Sequence, residues 1–275
     1  MKTLKNHVIV YDSECPLCKV YTGAFVKTGM LDEEGREAYC SLPQQYEAMV
    51  DKDRARNEIA LIDVESGKAY YGYESLFKVI ENSFPIFKPL FQLTVFRWVI
   101  LRLYRFISYN RKVIIPPSVM DAPRSCTPDF NLVYRWAYII FAWLMTSVIL
   151  TAYSGLLVDY IGNTSLGREF LICAGQIVFQ GLVLIITKSR GKVNYLGNMM
   201  TISLAGSLLL LPVIFIYRIS LNQEPIIALI WFGLVVLLMF LEHIRRLKIL
   251  KVTYLLTITW VVYRMLVLLI VLSDW

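Results

Sequence analysis

A small α/β domain followed by an all-α bundle of about five transmembrane helices is the fold class this sequence predicts, on three observations. The first 132 residues carry nearly balanced charge, 17 Lys and Arg against 16 Asp and Glu, and their patterning runs strand, helix, strand, helix, hairpin, helix. The remainder holds 11 basic and 5 acidic residues and contains five long apolar runs, uncharged except for Arg264 in the last. The 275-residue chain is 57% apolar and 18% charged, with a mean hydropathy of +0.54. That excludes a disordered chain, a collagen and an ordinary soluble domain.

His7 to Tyr11 is a β-branched and aromatic run ending at Asp12, which predicts a buried strand entering a loop. From Pro16 to about Thr28, Leu17, Val20, Tyr21, Ala24 and Phe25 recur at helical spacing. The helix therefore begins at or just after Cys15, tolerates Pro16 in its first turn and ends near Gly29. Glu37 to Leu42 is a second strand candidate, holding Cys40 as a small core residue, and Pro43 to Val50 a short helix. Ile59–Val64 and Ala69–Gly72 flank the turn Glu65-Ser66-Gly67-Lys68, a hairpin signal, and Glu74 to Asn82 predicts a helix. Such a domain, placed at residues 1–115, is long enough to bury one core.

Residues 83–112 are apolar but interrupted by Lys88, Arg97, Arg102 and Arg105, too often to cross a bilayer. On a helix, Phe96, Val99, Ile100, Leu103 and Ile107 share one face while the arginines point away. That face suits either the membrane interface or the domain's own core. A linker at 116–132 leads to the membrane region, 133–275, with spans expected at about 136–158, 170–187, 196–217, 225–241 and 252–273.

The loops between spans alternate in charge. Arg168 and Arg218 stand alone, whereas Lys188, Arg190 and Lys192, then Arg245, Arg246, Lys248 and Lys251, cluster. Seven positive charges against two predict a multi-pass protein of the inner or plasma membrane, its amino-terminal domain cytoplasmic and its carboxyl end outside. The net charge of +7 thus suits the lipid of that face, and nucleic acid is not an expected partner.

Five cysteines are too few for a disulfide-stapled scaffold, and no cleavable leader follows Met1. The pair Cys15 and Cys18, in Asp12-Ser13-Glu14-Cys15-Pro16-Leu17-Cys18, joins a strand to a helix. Two intervening residues on a first helical turn let the sulfurs reach one another. The unpaired amides of the helix start favour a thiolate at Cys15, expected to be the more exposed position. A thiol of ordinary pKa, about 8.5, is about 3% ionised at pH 7; lowering it to about 7 ionises half, for about 2 kcal/mol. Cys15 would then attack a disulfide and Cys18 resolve the mixed product, with Asp12 exchanging the Cys18 proton or else bonding local amides as a turn residue. Half a zinc site or two inert core thiols are the competing readings. The only further metal ligands in view, His7, His243, Cys40 and Cys126, lack finger-like spacing, so no metal is expected.

With Asp12, Cys15, Pro16 and Cys18 in the pattern D-x-x-C-P-x-C, the sequence resembles the DCC thiol-disulfide oxidoreductases. Tyr71-Gly72 with Glu74-Ser75-Leu76, Tyr104-Arg105 and Asn110-Arg111 resemble that family's later motifs. The resemblance covers roughly residues 6–115 and implies a thioredoxin-like fold, dithiol redox chemistry, no cofactor beyond the cysteine pair, and a disulfide-bearing protein or small thiol as substrate. Two features depart from what the resemblance implies: Ser13 stands where the family usually has Gly, and the cis-proline that thioredoxins place beside the dithiol to dock substrate, just before a strand, has no counterpart between Lys52 and Glu58.

Cys126, in a loop, is expected to be exposed, and Cys173 is alone in its span, so the bundle lacks the second thiol that a transmembrane exchange relay needs. Arg264 lies halfway along the last span, where a charge is costly unless paired; Gln176 and Gln180 lie at reachable depth, Gln180 the closer match. Glu242-His243 reads as an interfacial anchor. Neither a glycine-rich phosphate loop nor paired histidines for haem occur. The alternative function is a membrane carrier or scaffold whose amino-terminal domain senses redox state or binds a partner.

Overall fold

The computed structural model describes residues 2–117, 129–189, 191–219 and 224–273 and divides into two compact units, 1–134 and 135–275. In the first unit, strand β1 (His7–Tyr11) leads through helix α1 (Pro16–Lys27) to β2 (Arg36–Ala38). Short helices α2 (Gln44–Glu47) and α3 (Lys52–Asn57) precede the hairpin β3 (Ala60–Asp63) and β4 (Lys68–Tyr71), and α4 (Tyr73–Ser83) follows. The sheet order is β2-β1-β3-β4, with β1 parallel to β2 and antiparallel to β3, and β3 antiparallel to β4.

β1 and β3 are continuous apolar runs because both faces of the sheet are covered. Ile9 and Leu61 pack with Leu31, Val79 and Phe25 on one side; Val10, Ala60 and Ile62 pack with Val50 and Ala55 on the other. α1 ends where the sequence places its end. Gly29 adopts φ +72°, and the amides of Gly29 and Met30 bond the carbonyls of Val26 and Phe25, closing the last turn.

Three expectations for this unit need correction. β2 stops at Ala38 and residues 39–41 form a 3-10 turn that leaves Cys40 exposed rather than in a core; Cys40 is disulfide-bonded. α3 is an element the apolar pattern missed because a cap makes it: the Asp51 carboxylate accepts from the amides of Asp53 and Arg54. The 83–112 stretch is two helices, α5 (Lys88–Gln92) and α6 (Thr94–Ile114), broken at Leu93.

Stacked Phe77, Phe91 and Phe96 join α4, α5 and α6. Along α6, Phe96, Ile100 and Tyr104 are half-buried and Ser108 and Arg111 buried, whereas Val95, Trp98, Val99 and Leu103 remain exposed. The apolar face is therefore split between the domain and its surroundings.

Gly72 starts α4 at φ +62°, ψ −131°, and a Cβ there would meet the Glu58 carboxylate at 2.7 Å and the Tyr104 ring at 3.1 Å. Gly72→Ala is expected to cost about 1–3 kcal/mol, from the strained backbone and the clash together. Pulse proteolysis of the full chain across a urea series measures it.

The second unit holds α7 (Leu132–Ser154), the single turn α8 (Val158–Ile161), α9 (Leu166–Ile186), α10 (Lys192–Ile219), α11 (Pro225–Leu250) and α12 (Leu255–Ser273). They supply five helical segments long and apolar enough to cross a membrane, the first being 132–161. This is a membrane protein. α11 continues nine residues past the expected end at 241, because Glu242 pairs with Arg245 and Arg246 one turn on.

Ile139, Met199, Leu256 and Trp260 form the main core of this bundle. Within it His243 is buried rather than interfacial: its ring nitrogens meet Tyr195 Oη at 3.0 Å and Thr257 Oγ1 at 3.2 Å, and Trp260 stacks on its face. Gln180 is buried in the same polar knot. Its carbonyl oxygen accepts from Tyr195 and Thr259, both at 3.3 Å, so the expected pairing with Arg264 does not form.

Candidate active site

The β1–α1 connection builds the site. Asp12 ends the strand, and its Oδ1 accepts from the Glu14 amide at 3.0 Å while its backbone carbonyl accepts from the Cys15 amide at 3.1 Å. That tight turn places Cys15 at the cap of α1 and Pro16 in the first turn, where its missing N–H leaves nothing unsatisfied. Ser13 makes the turn without a positive φ, so glycine is not required there. The Cys15 sulfur caps its own helix, accepting from the Cys18 amide at 3.4 Å, and Tyr21 Oη donates to the Cys18 sulfur at 3.6 Å. Both thiols are free.

Arg111, from α6, closes the site over a sequence separation of 99 residues. Its Nη2 reaches Asp12 Oδ2 at 3.1 Å and the Arg56 carbonyl at 3.3 Å, and its Nη1 reaches the Asn57 carbonyl at 3.2 Å. Lys112 Nζ approaches the same Asp12 oxygen at 3.7 Å. The residues that would carry a substrate-docking proline thus turn their carbonyls to this guanidinium instead. Asn110 faces elsewhere: its Nδ2 donates to the Phe106 and Tyr134 carbonyls, both within the first unit.

Exposure runs against expectation. Cys15 is 0% and Cys18 2% exposed, with Asp12 at 6% and Arg111 at 4%. A bare helix start leaves its cap open; here α6 brings Arg111 across the turn. Asp12 likewise engages the Glu14 amide and Arg111, and among the described contacts it makes no hydrogen bond to either sulfur.

The electrostatics separate the two thiols. The Cys15 pKa is lowered to about 7, first by the hydrogen bond from the Cys18 thiol; burial opposes this, and the Cys18 amide and Arg111 add to it. Cys18 is pushed far up, by that same bond and then by burial. Arg111 stays protonated despite its burial, held by the two sulfurs and Asp12. Because Cys15 ionises more easily folded than unfolded, its contribution to stability is lost as pH falls from about 9 through about 7; the raised Cys18 acts oppositely and costs stability above about pH 9, so the pair together stabilises most near pH 9. A Cys18→Ala variant removes the main donor, so the midpoint of Cys15 alkylation by iodoacetamide is expected to rise by about one unit, towards the ordinary value near 8.5.

Residues 9–115 match the family model described as DCC1-like thiol-disulfide oxidoreductase. That match lies within the amino-terminal domain. Its mixed four-stranded sheet with helices is thioredoxin-like, and it is joined to a membrane region of five candidate spans. No curated protein and no solved structure matches the chain.

In this DCC1-like domain the structure brings Asp12, Cys15, Pro16, Cys18 and Arg111 together and leaves Asn110 outside the sulfur pocket. Arg264 and Gln176 lie in the bundle, and Cys126 lies outside the described residues. Tyr21 and Lys112 were not anticipated. Tyr21 was within reach of sequence reasoning, since it sits three residues after Cys18 on the same helix. The pairing of Asp12 with Arg111 carried no spacing signal at all.

Proposed function

We propose that this protein is a membrane-anchored thiol-disulfide oxidoreductase in which Cys15 is the nucleophile and Cys18 the resolving thiol. The observation that carries this is geometric: the Cys15 sulfur sits at the cap of α1 and accepts from the Cys18 amide at 3.4 Å, an arrangement that lowers the Cys15 pKa and leaves the Cys18 thiol pushed up. The Cys15 thiolate attacks one sulfur of a substrate disulfide, forming a mixed disulfide and releasing the other sulfur as a thiolate. Cys18 then passes its proton to that leaving group and attacks the Cys15 sulfur. This breaks the bond between Cys15 and the substrate, whose second sulfur leaves as a thiolate and takes a proton from solvent; two electrons have passed to the substrate, and the Cys15–Cys18 disulfide remains for an external dithiol to reduce.

Asp12 acts here as a positioning residue, fixing the Arg111 charge beside both sulfurs. Cys15 has no exposed surface in the dithiol state, so attack follows a local opening of the turn. The exposed Val95, Trp98 and Leu103 side chains, with Arg102 beside Trp98, suit contact with lipid headgroups. Purified full-length Cys18→Ala protein mixed with glutathione disulfide is expected to accumulate one glutathione on Cys15, readable by intact mass. Glutathione elsewhere, or none, overturns the assignment.

The charge bias of the loops supports a cytoplasmic amino-terminal domain. A second reading, with that domain on an oxidising side, is favoured by one observation, the disulfide at Cys40. A cysteine introduced at exposed Glu34 decides: labelling in intact cells by a membrane-impermeant maleimide supports the second reading, and labelling only after permeabilisation the first.

A further inference from the structure

The membrane bundle holds an open-mouthed cavity of ≈ 530 Å³, within the range of ligand sites and lined mainly by apolar side chains of α7, α9, α10, α11 and α12. Its polar groups do not balance. Glu169 is already engaged by Arg168 at 2.8 Å and Ser154 at 3.1 Å. What remains is rich in donors. Gln176, 5% exposed, has its amide Nε2 buried without a partner, as does the hydroxyl of Thr146, 3% exposed. Arg264 lines the same cavity at mid-span. Its Nε is buried without a partner, no carboxylate among the described residues lies within ion-pair distance, and its guanidinium rests on the Trp260 ring at 4.0 Å.

A cation held in an apolar bundle with no counter-charge is costly, and buried donors without acceptors cost further. Both deficits have one remedy, a ligand that brings negative charge and acceptor oxygens on an apolar body. We propose that this cavity binds an amphipathic anion, its carboxylate or phosphate head against Arg264 and Gln176 and its hydrocarbon chain along walls such as Leu210, Phe232 and Leu268. The shape of the site favours a chain-bearing molecule over a small soluble anion: most of the lining offers only van der Waals contact.

The test uses full-length protein in phosphatidylcholine nanodiscs, photolabelled with a dodecanoic acid carrying a diazirine at its chain end. Label is expected on cavity residues, competed by dodecanoate or dodecyl phosphate and at least tenfold less well by dodecanol or acetate. Arg264→Gln should lose at least tenfold of the competable label, and Arg264→Lys should keep most of it. Gln176→Leu, a milder change, should lose severalfold. Equal competition by dodecanol, competition by acetate, or label confined to lipid-facing residues such as Ile230 and Leu269 overturns the proposal. If the Arg264 variants fail to fold, the competition series on the unaltered protein decides alone.

Discussion

A Cys15→Ser protein is expected to fall to the uncatalysed background in any disulfide exchange assay, while still folding. A serine hydroxyl is not ionised at neutral pH and forms no disulfide, so both halves of the exchange are lost together. The unaltered protein should show the complementary signature. With the Cys15 pKa at about 7, its alkylation rate rises about tenfold per unit at low pH and flattens above neutrality. Stopped-flow reaction with glutathione disulfide and a pH series of iodoacetamide alkylation check the two. Undiminished exchange in the serine variant would mean that some other group carries the chemistry.

The second large effect is on stability. Arg111→Met removes the charge that compensates buried Asp12 and the donors that satisfy the Arg56 and Asn57 carbonyls. Breaking a buried pair from one side costs about 3–5 kcal/mol, and Lys112, at 3.7 Å from the same carboxylate, holds the expected value near the lower end. Hydrogen exchange at the β1 and β3 amides of the full-length protein reads the loss. Adding Asp12→Asn removes the stranded charge and should restore about 1–3 kcal/mol. Arg111→Met also takes a positive charge from beside Cys15, so the alkylation midpoint should rise. A variant that lost stability with no change in that midpoint would leave Arg111 a purely structural role.

The elements with strong local signals were legible in the sequence. β1, α1, the β3–β4 hairpin and the five spans follow from alternation, capping residues and uncharged length, and Gly29 and Pro16 punctuate α1 where expected. β2 and α3 were not, for opposite reasons. The 37–42 stretch is apolar enough for a longer strand, but β1 pairs only with residues 36–38. α3, almost wholly polar, owes its existence to the Asp51 cap and to one buried alanine, Ala55.

At the site, the cysteine spacing was readable because it is local. What Asp12 does was not, because its partner arrives from the far end of the domain. The same limit misjudged Arg264 and Gln180. Depth in a membrane makes them candidates for each other, but the rotation of α9 and α12 gives Gln180 to Tyr195 and Thr259.

The sulfur that would attack is also the atom that fastens the beginning of α1, through the amide of Cys18. Once that sulfur is bonded to a second sulfur it is a poorer acceptor, so every turnover would loosen and retie the same knot of backbone. The amide hydrogen of Cys18 is then a built-in tally of the reaction, its nuclear resonance moving with each change in the bonding of its neighbour and reporting progress without any added label.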